Sequence, residues 1–209
     1  MADSPDIYTE PENFELDTLS MLGPLAVLAG TWEGEGVDTH PVATGTEDEP
    51  YKERIVFDPI DPQLNGPQLL YGLRYHAHVN KLDEAITFHD QIGYWLWEPA
   101  TKTLVQTVAI PRAQVAMASG TAEPNARTFT VRAEQGSPYF GICSAPFLEK
   151  HFRTTSYTMT ITNEDDGRLR YEQDTVLEIP GRATFHHTDH ATLRKVLSAT
   201  PNPVSPRAR

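Results

Sequence analysis

Three histidines near the end of the chain, His186, His187 and His190, surround Thr188 and Asp189. Alternate side chains of a strand share a face. His186, Thr188 and His190 would then lie together, and His187 would lie with Asp189, Ala191 and Leu193. A neutral imidazole can ligate iron, copper or zinc through one nitrogen while its second nitrogen bonds to a carboxylate or carbonyl. The alternative is a solvent-exposed histidine set with Asp189 in an ion pair. His76 and His78 are two apart, so both point to one face of a strand and could grip a metal. No close acidic residue completes that pattern in the sequence, and a structural or surface role competes with it. His89 sits beside Phe88 and near Tyr94 and Trp95, in the most apolar strand of the chain. Such company suits a cavity wall, a satisfied core position or an outward side chain. Cys143 would be a nucleophile only if His151 or another base faced it, and a buried, inert thiol is the expected state. Glu33 and Glu35 share a strand face where solvation is expected. No glycine-rich loop precedes a helix, so nucleotide-binding loops are not supported.

The elements that must position these residues start at Leu19. Leu19, Leu22, Leu25 and Leu28 form a short apolar helical pattern, followed by Gly30-Thr31-Trp32-Glu33-Gly34-Glu35-Gly36 with strand alternation. Glycine at every second place suits a sharply coiled strand or close approach of another segment. Trp32 is large enough to plug the end of a closed sheet. Further strands are read at Tyr51–Phe57, Gln68–His78, Ile86–Trp97, Thr103–Ile110, Arg112–Gly120, Arg127–Glu134, Glu149–Thr162, Arg168–Ile179 and Ala183–Leu197. Asn163-Glu164-Asp165-Asp166-Gly167 is a hairpin turn signal. About ten strands with short turns and no crossover helices predict an all-β fold. The expected form is an antiparallel up-and-down β-barrel with a short N-terminal helix closing one end. Such a barrel closes every edge and can hold one small ligand. A two-sheet sandwich with a dry core is the competing architecture.

At 209 residues the chain suits one domain. Residues 1–17 read as a flexible acidic arm, 18–197 as the barrel and 198–209 as a flexible tail. A net charge of -12 argues against nucleic acid as a partner. One cysteine excludes an intrachain disulfide and a cysteine-rich zinc site. No apolar run approaches a membrane span, and the N-terminus lacks an apolar signal core, so a cytoplasmic address is the default expectation. Zinc wants three or four protein ligands in a compact set. Haem asks for one proximal residue, so isolated histidines in a cysteine-poor barrel fit haem better than a bare catalytic metal.

The first strand resembles that of nitrobindin, a family of haem-binding β-barrels related in form to fatty-acid-binding proteins. The family's G-x-W-x-G-x-G motif is matched by Gly30 to Gly36, after a short apolar helix like Gly23 to Ala29. A proline loop is matched by Thr39-His40-Pro41, and Y-x-E-x-I-x-F by Tyr51 to Phe57. The strand beginning His89-Asp90-Gln91-Ile92-Gly93-Tyr94 resembles the family's H-x-E-x-G-Y. The resemblance covers most of residues 19–197. It implies haem b held by a last-strand histidine in an H-L-x-A-x-L pattern, with a second histidine, matched by His89, and nearby Phe88 in the pocket. Aligning Ala191 and Leu193 without a gap puts Thr188 at the ligand position, one residue after His187 and two before His190. A slip of one flips a strand residue to the other face, and a local bulge would return His187 to the cavity. His187 and His190 both stand as iron ligands at this point. The implied activity is binding of nitric oxide or isomerisation of peroxynitrite to nitrate on ferric haem. The alternative is a non-enzymatic carrier or sensor of another small hydrophobic ligand, with haem binding lost. The family also implies a homodimer, although no stripe in this sequence marks an interface.

Overall fold

A computed structural model describes residues 6–202. The first residues of the expected arm and the last of the expected tail, 1–5 and 203–209, lie outside the described residues. Among the described residues, regular structure begins with α1 (Thr18–Met21) and a 3-10 turn at Gly23–Val27. Twelve strands follow, with one more helix, α2 (Pro146–His151), between the ninth and tenth. The long strands are β1 (Gly30–Pro41), β2 (Thr46–Pro59), β4 (Gln68–Lys81), β5 (Thr87–Glu98), β6 (Thr103–Ile110), β7 (Gln114–Thr121), β8 (Thr128–Gln135), β10 (Arg153–Asn163), β11 (Leu169–Glu178) and β12 (Phe185–Ser198). These ten close a ring in chain order, because β1 pairs with both β2 and β12. The expected antiparallel up-and-down barrel is therefore present.

Two short strands escape the sequence pattern. β3 (Gln63–Asn65) only folds back on β4. β9 (Gly141–Ser144) lies between β7 and β8 and runs parallel to β8. Three or four residues are too few for a period-2 signal to stand out. β7 and β8 meet directly only at Ser119 and Arg132, so β9 and α2 fill a seam where the wall has opened. Cys143 lies on β9 and is exposed, which corrects the expectation of a buried thiol. Its neighbour Ile142 takes the inward place.

The closed end is plugged as the apolar pattern implies. Leu22, Leu25 and Leu28 are fully buried, in one core cluster with Trp32, Trp97, Tyr71 and Leu73. Trp32 donates its indole N–H to the Leu28 carbonyl at 2.7 Å, which ties the plug to β1. Burying a Trp removes a large apolar surface from water, and satisfying its N–H removes the cost of doing so. Tyr71 donates to the Glu15 carbonyl at 3.0 Å, so the segment before α1 also lies against this end. Gly36 has a local reason: a Cβ there would sit 2.5 Å from the ring of Tyr51. The glycine makes room for a phenol that belongs to the interior described next.

Candidate functional site

The barrel encloses a cavity of about 480 Å³. This lies within the range of small-ligand sites, which runs from roughly 300 to 1,000 Å³. Its walls are mostly apolar, including Ile55, Phe57, Val79, Met159, Ile161 and Leu177. The lining reaches α2, where Phe147 is 65% exposed. Polar side chains from most of the barrel strands interrupt this apolar wall, and several are linked to one another by hydrogen bonds.

The densest polar group joins β1 to β12. Asp38 and Asp189 are direct cross-strand partners, and both line the cavity. His187 Nε2 bonds to Asp38 Oδ1 at 2.6 Å and lies 3.9 Å from Asp189 Oδ2. Gln173 donates to Asp189 at 2.9 Å. Two carboxylates facing each other in a buried place resist double ionisation. Burial first, and the Asp38 charge second, raise Asp189 to about 7. Burial opposes a charge on His187, but the bond to Asp38 and the charge of Asp189 outweigh it and hold the ring above its ordinary value. His40 also lines this end, with its Nδ1 3.5 Å from Asp38 Oδ2.

A second polar set lies deeper. Tyr171 donates to Glu53 at 2.9 Å, and the Tyr51 and Tyr171 hydroxyls are 2.7 Å apart. Burial pushes Glu53 up to about 8, so this carboxyl is mostly neutral at pH 7. The third set is on β5. Arg112 donates to the Phe88 carbonyl at 2.8 Å and to His89 Nδ1 at 3.3 Å. Nδ1 is thus the acceptor, and Nε2–H faces Gln91 Oε1 at 3.3 Å. Burial and then the Arg112 charge lower the His89 pKa, in keeping with a neutral ring. Gln91 continues the chain to Tyr75 at 2.8 Å, and Tyr75 to the Thr107 carbonyl at 3.0 Å.

His187, His89 and Phe88 all line the cavity, although the sequence separates the first from the other two by almost half the chain. Phe88 and His89 are neighbours and should face opposite ways. A register shift makes Val79 pair with His89 and Asn80 with Thr87, which leaves Phe88 as the extra residue of a bulge. Thr188 and His190 are not in the lining. His190 is exposed, opposite Val37 and Glu172. Pairing of β12 with β11 runs unbroken from Phe185 to Leu193. His187 therefore shares the inner face with Ala191 and Leu193 without a bulge. Asp38, His40, Glu53 and Arg112 were missed as site residues. The signal for three of them was present: Asp38 and His40 continue the inward parity of Trp32, Gly34 and Gly36, and Glu53 that of Tyr51, Ile55 and Phe57. Nothing in a single sequence marks Arg112, which reaches the site from the β6–β7 turn.

The structure is a closed β-barrel around a largely apolar cavity, a form that can enclose a small ligand. The family model described as THAP4-like, heme-binding beta-barrel domain matches residues 21–195, and the chain belongs to this family. The nitrobindin-like resemblance read from the strand motifs agrees with it. Among solved structures, the crystal structure of Rv2717c from M. tuberculosis is similar with a TM-score of 0.58 and 20% identity. That match covers 85% of this chain and 96% of the other, and it supports the barrel fold. Comparison with curated proteins gives no match. No helix among the described residues is long and apolar enough to cross a membrane.

Proposed function

We propose that this barrel binds haem b in its cavity with His187 as the iron ligand, and that it serves nitric oxide binding or peroxynitrite isomerisation. The observation that carries the reading is the place of His187: on the inner wall, with Nε2 held by the buried carboxylate of Asp38. A metal-bound histidine commonly keeps its second nitrogen on a carboxylate, which fixes the ring and raises its basicity. Nδ1 is then the nitrogen left for a metal. Haem needs only one protein donor, because the porphyrin supplies four. The donor set fits in other respects too. The apolar wall suits a flat macrocycle, Arg112 offers a cation to propionate carboxylates, and the His40 ring is a second imidazole at the same end.

Ferric haem, when bound, supplies the iron centre on which nitric oxide binds or peroxynitrite rearranges. The remaining tasks belong to the chain. Asp38 orients His187. Phe88 and the neutral His89 shape the adjacent wall, and Arg112 fixes the His89 tautomer. Glu53, neutral at pH 7, adds no anion to a cavity that already holds Asp38 and Asp189.

A second reading rests on the same cluster. Asp38 and Asp189 together stabilise a protonated His187, and a protonated ring cannot ligate iron. On that reading the cavity carries a different hydrophobic ligand. Titration of the apoprotein with ferric haem separates the two. Saturable one-to-one binding with a Soret shift, lost in His187→Ala and kept in His190→Ala, supports haem. A flat titration in the folded wild type removes haem and leaves the carrier reading.

A further inference from the structure

The outer wall of the barrel carries a second constellation, away from the cavity. His76 and His78 lie on β4 with their rings 3.9 Å apart. Asp90 on β5 is the direct cross-strand partner of His78. Its Oδ2 is 3.0 Å from His76 Nε2 and 3.2 Å from His78 Nε2. Candidate ligand atoms from the three residues all lie within 4.8 Å of one another. The acidic partner that the sequence around the two histidines does not offer comes from the neighbouring strand.

We propose that His76, His78 and Asp90 form a surface site for one divalent ion of the zinc class. Two imidazole nitrogens and one carboxylate oxygen are donors that suit zinc, and three protein ligands leave a fourth, tetrahedral place for water. Without a metal, two imidazoles converge on one carboxylate oxygen. A cation between the three replaces that crowded arrangement with three short bonds.

The surrounding charges permit it. Arg54 on β2 stands opposite His78, but it is engaged by Glu33. Arg74, two residues before His76, is 3.3 Å from Asp58. All three ligands are half-exposed, so an ion can reach them from solvent. Their strand neighbours Ala77, Val79, His89 and Gln91 face inward and line the cavity. Metal on the outer wall thus clasps β4 to β5 without entering the interior, and it is independent of haem.

The test is zinc titration of untagged, haem-free, full-length protein in competition with a chromophoric chelator. Expected is one zinc per chain, with affinity lowered by about tenfold or more in His76→Ala and in His78→Ala. His187→Ala, which alters the interior Asp38–His187–Asp189 cluster, leaves this binding unchanged. The thermal midpoint rises with zinc in the wild type, and the rise disappears in the two variants. A readout that needs no variant is copper(II) broadening of histidine ring resonances in the wild type, expected first at His76 and His78. No zinc uptake by the folded wild type, uptake indifferent to His76→Ala and His78→Ala, or broadening confined to other histidines overturns the proposal.

Discussion

Glu53 is a carboxyl placed where a charge is costly, and replacing it with glutamine isolates that cost. The side chain is buried and accepts a hydrogen bond from Tyr171. Burial lifts its pKa from an ordinary 4.5 to about 8. A group that holds its proton more tightly when folded contributes most below its unfolded pKa. That contribution falls as pH rises from 4.5 and is gone above about 8. At about 1.4 kcal/mol for each pH unit, the full span amounts to about 5 kcal/mol. Glu53→Gln keeps the shape and the acceptor oxygen but does not titrate. Urea unfolding of both proteins from about pH 5 to pH 9 should show the variant gaining steadily on the wild type, by several kcal/mol in all. Any packing change from the substitution is an offset common to every pH, and Asp189 titrates in both proteins. A difference between variant and wild type that stays constant across this range refutes a neutral, proton-holding Glu53.

Two shorter predictions concern the plug and the histidine cluster. Trp32→Phe removes the N–H bond to Leu28 and leaves unfilled space in the buried core. Denaturant unfolding should show a loss of about 2–4 kcal/mol, and no loss would mean the plug does not depend on the indole. Asp38→Asn removes the hydrogen-bonded charge that offsets burial at His187, so the His187 ring should titrate lower than in the wild type by NMR. The wild-type ring is raised, so its contribution to stability is present below the unfolded histidine pKa and is lost as pH rises through the folded one. Asp38→Asn should flatten that fall.

The barrel was legible because its evidence is repeated. Ten long strands carry alternation or dense apolar content, and turn signals such as Asn163 to Gly167 separate them. β3 and β9 were not legible, since three or four residues carry no period and β9 is held by a seam that other strands create. The site was half legible. Parity along β12 groups His187 with Asp189, Ala191 and Leu193, and the structure keeps that grouping without a bulge. Which face turns inward depends on the partner strands, and so the choice between His187 and His190 stayed open in the sequence. Phe88 entered the cavity wall through a bulge that no local residue announces. Asp38 meets His187 across 149 positions of chain, a pairing set by barrel closure alone. Asp90 likewise belongs with His76 and His78 only once β4 and β5 are paired.

The most direct measurement on the proposed haem site is cavity complementation of the His187 ligand. His187→Gly leaves an imidazole-sized space beside Asp38, which free imidazole can fill. The ferric haem complex of this variant should lose the histidine-ligated spectrum of the wild type and regain it, saturably, when imidazole is added. A wild-type spectrum in His187→Gly without imidazole would contradict the assignment, because the iron would then be held by another residue.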